Sequence, residues 1–335
     1  MFSSTCYPPP PTKPKTPNQT RRNVALNTPR QLKNNDKSWT QCFISSSIND
    51  QGLSSGGNGA GVNYPLYQFK HPNYTENFTP EFRSFIDKHY SHHFEPLEVL
   101  GYIYALLYSP NYRKRYEDFL KADYPKILFT NNKDLFRALS LLGIELIGLH
   151  VLNKESLNYS FEKLKDPTIG ESYYKEAHNP IIKKPAYNEP EQRLYINHSA
   201  YFKGVSEEIH DYMIGGYGVL DKYLKSHKNE SCDFDHVTNI IKVIARTIEI
   251  QKTLGFLTSD LPHLKGNDSK ALTQEILQNP PPPTPFNTNI ALILSRQAKA
   301  IGDFDFDAAF ISKEASDNNI YRRGGGSAFP LFCLI

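Results

Sequence analysis

Apolar and polar positions alternate in different ways along the chain, and the changes of period mark out its elements. Near residue 80 the period is helical. Thr79-Pro80-Glu81 supplies a capping hydroxyl, a proline for the first turn and an acid. Phe82, Phe85, Ile86 and Tyr90 then recur at helical spacing. A second helix is predicted from Glu95-Pro96, with Leu97, Leu100, Tyr104 and Leu107 on one stripe and Pro110 as its limit. A short basic helix over 111–121 follows. Next comes an apolar-striped helix over 131–152, interrupted by Gly143 and Gly148. Residues 180–202 read as extended, with Leu194-Tyr195-Ile196 as a strand. The longest helix is expected over 235–254, with Val237, Ile240, Ile241, Ile244 and Ile248 toward the core.

The two ends of the chain share a pattern. Pro-Pro-Pro-Pro-Thr, Asn23-Val24-Ala25-Leu26, Arg30-Gln31, Phe43-Ile44-Ser45, Asp50, a Gly-rich loop and Tyr64-Pro65-Leu66-Tyr67 form the first run. A second Pro-Pro-Pro-Pro-Thr, Asn289-Ile290-Ala291-Leu292, Arg296-Gln297, Phe310-Ile311-Ser312, Asp317, Gly324-Gly325-Gly326 and Phe329-Pro330-Leu331-Phe332 form the last. Order and register agree, so one segment occurs twice, the second time cut short. Its residues suit strands and turns. The expected class is therefore α+β, with strand-rich segments around a helical centre. The expected divisions are a Pro-rich disordered leader over 1–22, a main region over 23–258, a linker over 259–288 and the truncated repeat over 289–335.

Composition adds little to this picture. Of 335 residues, 39% are hydrophobic and 22% charged, enough to bury a core. Aromatics reach 13%, nearly all Tyr and Phe, which suits half-wet surfaces as well as cores. A net charge of +3 is too small to announce a nucleic-acid partner and too ordinary to exclude one. Cys6, Cys42, Cys232 and Cys333 are scattered, without a zinc or redox spacing. There is no apolar leader and no run near the roughly 20 residues of a membrane span. A cytoplasmic chain without a membrane partner is expected.

Catalytic motifs are sought without success. Gly56-Gly57-Asn58-Gly59-Ala60-Gly61 leads into Val62-Asn63-Tyr64-Pro65, a strand-like run, where a nucleotide loop would lead into a helix. Asn279-Pro280-Pro281 is followed by Pro282, where an amine methyltransferase needs an aromatic to stack on the flipped base. Asp268-Ser269-Lys270 sits in a polar turn, not on a nuclease strand. His89, His92 and His93 lie at helical spacing near a helix end, where a solvated terminus competes with a metal site. No catalytic, cofactor or metal residue is assigned. For DNA the candidates are Arg113, Lys114 and Arg115, between Tyr112 and Tyr116, and the pair Arg30-Gln31. Arg and Lys neutralise phosphates, and Arg and Gln read base edges. A charged helix face paired with Glu117 and Asp118 is the competing reading.

Longer segments carry a resemblance. They include the first copy of the repeat, Glu98-Val99-Leu100-Gly101-Tyr102-Ile103-Tyr104-Ala105-Leu106-Leu107-Tyr108-Ser109, and Tyr112-Arg113 with Tyr116. Phe119-Leu120-Lys121-Ala122-Asp123-Tyr124-Pro125-Lys126-Ile127, Leu149-His150 and Tyr195-Ile196-Asn197 continue the series. Tyr201-Phe202, Ile214-Gly215-Gly216-Tyr217-Gly218-Val219-Leu220 and Thr247-Ile248 close it. Over residues 20–255 the chain resembles the C-terminal specificity region of single-chain restriction–modification enzymes of the type ISP and type IIG class. The resemblance implies a target-recognition-like fold and double-stranded DNA as partner. It also implies a methyltransferase/nuclease polypeptide, in which an adenine-N6 methyltransferase domain uses S-adenosylmethionine. The expected function is a DNA sequence-recognition module without its own catalytic motifs. Two alternatives stay open: a piece acting within an adenine-N6 DNA methyltransferase, and a non-functional remnant of such a gene.

Overall fold

The computed structural model describes residues 23–30, 32, 38–47, 61–70, 73–174, 180–259 and 270–281. The Pro-rich leader, the Gly-rich loop up to Ala60, Asp268 and Ser269, and the second copy of the repeat lie outside the described residues. In chain order the first elements are β1 (Ala25–Pro29), β2 (Phe43–Ser45), β3 (Gly61–Pro65), β4 (Tyr67–Lys70) and β5 (Asn73–Glu76). There follow α1 (Pro80–Tyr90), α2 (Pro96–Tyr108), α3 (Pro110–Arg115), α4 (Glu117–Ala122), α5 (Lys133–His150) and α6 (Lys154–Glu162).

The first copy of the repeat forms an antiparallel sheet in the order β2-β1-β3, with Leu26 opposite both Ile44 and Tyr64. All of β1 is buried, as a central strand should be. Its two polar side chains need partners, and Asn27 donates to Asn63 Oδ1 at 2.9 Å. Asn23 clamps the next strand, donating to the Tyr67 carbonyl at 2.7 Å and accepting from the Tyr67 N–H at 3.1 Å. The separate β4–β5 hairpin runs out from there.

Helix starts follow the local chemistry. Thr79 Oγ1 accepts from the Phe82 N–H at 3.2 Å, and Phe82, Ile86 and Tyr90 are buried. In α2 the Glu95–Glu98 capping box is complete. Every residue of α2 is buried, not one stripe alone, because the helix runs through the centre of the core. The basic segment expected as one helix is two, α3 and α4, broken at Tyr116 (φ −110°, ψ 19°). Helix α5 is continuous through Gly143 and Gly148. Those glycines admit neighbours instead of interrupting the helix. A Cβ on Gly101 would lie 2.5 Å from the Ser140 carbonyl oxygen, and one on Gly143 would lie 2.5 Å from the Gly101 carbonyl carbon. Helices α2 and α5 thus cross backbone to backbone.

The chain continues through β6 (Ser172–Tyr173), β7 (Ala186–Asn188), β8 (Arg193–Tyr195), β9 (Tyr201–Phe202), α7 (Glu207–His210), β10 (Met213–Ile214) and β11 (Tyr217–Gly218). The described residues close with α8 (Val219–Ser226), α9 (Phe234–Leu257) and α10 (Lys270–Gln278). Strands β6-β9-β8-β7 make an antiparallel sheet. The described residues form two apolar cores. One gathers the first sheet and α1, α2 and α5, and the other gathers Leu194, Phe202, Leu220 and Val237. Helix α9 serves both: Val237 to Ile248 enter the second core, and Ile250, Leu254 and Leu257 the first. Among the described residues no single helix is long and apolar enough to cross a membrane.

Candidate nucleic-acid interface

The expected DNA-contacting residues fall on neighbouring elements but not in one orientation. Arg30, at the exit of β1, reaches the segment just after α4, where its Nε meets Asp123 Oδ1 at 3.0 Å. Nearby, the Leu32 N–H donates to the Lys121 carbonyl at 3.0 Å. Both charges of that pair are half exposed, so it holds the strand exit only weakly. Gln31 lies outside the described residues.

On α3 the buried Tyr112 sets the orientation, its hydroxyl donating to the Lys126 carbonyl at 2.6 Å. Arg113, one position on, is drawn inward. Its Nε donates to the Leu107 carbonyl at 2.6 Å, and its guanidinium lies 4.5 Å from the Tyr108 ring centroid and 5.6 Å from that of Trp39. These contacts hold Arg113 against the core, unlike its two neighbours, and its buried Nη2 has no acceptor among the described residues. Lys114 and Arg115 point outward and are exposed. Glu117, the expected partner, pairs instead with Lys121 at 2.8 Å, one helical turn away. No ion pair to Lys114 or Arg115 occurs among the described residues.

A second surface escapes the sequence reading. In the β6-β9-β8-β7 sheet, Leu194 and Phe202 point into the core, and register places Tyr173, Tyr201 and Tyr195 side by side on the other face. Tyr173 stacks on Tyr201 at 5.0 Å, and Tyr195 leans on Tyr201 at 5.1 Å. The Arg193 guanidinium sits 4.6 Å from the Tyr201 centroid and pairs with Glu191 at 2.8 Å. Period-two spacing, Arg193-x-Tyr195 and Tyr201-x-Lys203, is the signal that would have revealed this face. The β10–β11 hairpin turns at Gly215 and Gly216, whose φ of 58° and 81° suit a two-residue loop. Gly215 is pressed against Phe43 of the first sheet, where a Cβ would come within 2.6 Å of the ring.

Buried polar groups join the two cores. Arg246 on α9 binds Glu145 on α5 at 2.8 Å and Glu249 at 2.9 Å. His150 accepts from the Tyr104 hydroxyl at 2.7 Å and meets Thr247 Oγ1 at 3.0 Å. Since the Thr247 hydroxyl donates to the Val243 carbonyl, the imidazole proton belongs on Nε2. Burial, and secondarily the charge of Arg113, pushes the His150 pKa down to about 3, so the ring is neutral. The three expected metal candidates part company: His89 meets the Thr130 carbonyl, His93 meets Asp87, and His92 packs on Phe94. Among the described residues no group of three or more His, Cys, Asp or Glu side chains could hold a metal ion.

Two cores, a buried polar seam and outward rows of cations and tyrosines define a mixed α+β binding module. The chain belongs to the Type ISP C-terminal specificity domain family, whose profile matches residues 6–254. Two solved structures share the fold. The ATP-dependent Type ISP restriction-modification enzyme LlaBIII bound to DNA matches with a TM-score of 0.53 and 18% identity, over 70% of this chain and 16% of that one. The DrdV–DNA complex matches with a TM-score of 0.50 and 17% identity, over 72% of this chain and 25% of that one. The chain thus spans a quarter or less of the length of these structures. No curated protein sequence matches it.

Proposed function

We propose that this chain is a DNA target-recognition module working within a Type ISP restriction–modification system. The observation that carries the reading is the family match over residues 6–254. The DNA in the LlaBIII and DrdV structures supports it. In this reading Lys114, Arg115 and Arg30 neutralise backbone phosphates, and sequence is read by other side chains on the same surface. Arg113 holds α3 in place. The methyl transfer to adenine, and the S-adenosylmethionine it consumes, belong to a methyltransferase/nuclease polypeptide acting with this one. Cytoplasmic location follows from the same reading, since the DNA is there.

The test is selection from a randomised duplex pool at moderate salt. An enriched motif of several base pairs, with affinity that falls as salt rises, is the expected result. Binding without any sequence preference, alone and with a Type ISP methyltransferase, would overturn the proposal.

A further inference from the structure

The place of the first sheet in the core defines, position by position, what a strand set must supply there. Val24 and Leu26 of β1 are fully buried in the first core, and Ile44 and Leu66 join them. In register, the second copy of the repeat brings Ile290, Leu292, Ile311 and Leu331 to those positions.

The buried polar positions change in one direction. Asn27 faces Asn63 across the β1–β3 pair, and its buried Oδ1 has no donor among the described residues. In the second copy both residues change together, to Ile293 and Ala328. Trp39, whose buried Nε1 has no acceptor among the described residues, becomes Phe306. The buried Thr28 and Gln41 become Leu294 and Ala308. These changes take polar groups out of a site where an unmade hydrogen bond costs free energy. Pro29, at the end of β1, is the buried position of that strand where the second copy is more polar, with Ser295. Features that rest on backbone or on solvent recur. The Asn23 clamp grips the Tyr67 backbone, so Asn289 can grip Phe332 in the same way. Gly61 and Pro65, the ends of β3, return as Gly326 and Pro330, and exposed Arg30 returns as Arg296.

We infer that residues 289–332 are a second strand set for the place now held by β1, β2 and β3 of the same chain, and that the two copies exchange there. The tether favours the same chain. Helix α10 leads toward the second copy, and its Ile276 packs on the first core, the one that holds β1. From Pro281 to Asn289 the backbone spans up to about 28 Å. A short tether keeps the segment at an effective concentration on the order of millimolar. Exchange keeps a cation at the β1 exit and sets Lys313 and Glu314 where the exposed Ser46 and Ser47 stand. The inference does not depend on DNA as the partner.

The test uses the full chain as wild type, Leu26→Asp, Leu292→Asp and the double variant. Unfolding is followed by circular dichroism, oligomeric state by light scattering, and exposure of Cys42 by thiol labelling and peptide mass spectrometry. A carboxylate at position 26 is too costly for a fully buried strand, so it expels the first copy. While that copy is in place Cys42 is buried and its thiol is pushed up to about 12, so it labels slowly. The expected result is a monomeric Leu26→Asp that keeps a cooperative melt while Cys42 becomes reactive. Leu292→Asp matches the wild type, and the double variant loses the cooperative melt. Loss of that melt in Leu26→Asp alone overturns the inference, because the second copy has not taken over. A folded Leu26→Asp with Cys42 still protected overturns it too, because the first copy has stayed. So does a double variant that still melts cooperatively. Rescue that occurs only in a dimer gives the segment to a neighbouring molecule and overturns exchange within the chain.

Discussion

Replacing Gly143 with alanine sets two known effects against each other in one side chain. In an exposed helix the change would stabilise by up to about 1 kcal/mol, since glycine is that much poorer than alanine. At the α2–α5 crossing the new Cβ would stand 2.5 Å from the Gly101 carbonyl carbon and 2.9 Å from its Cα. The Gly101 carbonyl oxygen is nearer still, and since carbon atoms pack at about 3.5 Å or more the helices must separate by more than about 1 Å along a fully buried contact. Overpacking of this kind costs about 3 kcal/mol when backbone is the obstacle on both sides. The net expectation is a loss of about 2 kcal/mol, or roughly 4–8 °C of melting temperature for a folded region of this size. Gly255→Ala on α9 is the internal control, because a Cβ there meets nothing within 4 Å. It should gain up to about 1 kcal/mol. Thermal and urea unfolding followed by circular dichroism measure both. If Gly143→Ala melts at or above the wild-type temperature, the close crossing is wrong.

Three further outcomes follow from the geometry. His150 is neutral when folded and takes a proton near pH 6.5 when unfolded, so its contribution is complete above that pH. It is lost as pH falls toward about 3, at about 1.4 kcal/mol per unit. His150→Gln should remove one proton's worth of slope from stability against pH, and parallel curves would refute this. Glu145→Gln leaves Arg246 with Glu249 alone in a buried seam and should cost about 3 kcal/mol in urea titrations. Doubling Lys114→Gln with Arg115→Gln should leave the melting temperature unchanged and lower the DNA salt slope by about two, whereas Arg113→Gln should lower stability instead.

Local signals in the sequence were strong where a cap or a period set the element. Thr79-Pro80 placed the start of α1, and the isoleucines from Val237 onward defined α9 to within a turn. The described parts of the repeat's first copy form strands, as their residue types implied. The break at Tyr116 was not legible, since nothing around it punctuates a helix. Nor was the role of Gly143, because a glycine that breaks a helix and one that admits a neighbour look alike until the neighbour is known. The orientation of Arg113 was hidden for a related reason: Tyr112-Arg113-Lys114-Arg115 reads as one basic face, but the rings of Tyr108 and Trp39 draw the first cation inward. The tyrosine row was missed because Tyr173 lies 22 and 28 residues from Tyr195 and Tyr201 and meets them only through sheet register.

Because α9 is a wall of both cores, neither can come apart while the other stays whole. Loosening Val237 to Ile248 strips the second core, and the same helix carries Ile250, Leu254 and Leu257 into the first. The amides in the middle of α9 should therefore exchange with solvent only through whole-molecule opening. A ligand gripping either surface would slow that exchange from end to end, and the outward cations of α3 and the tyrosine row would meet a bound duplex as fixed points on a single body.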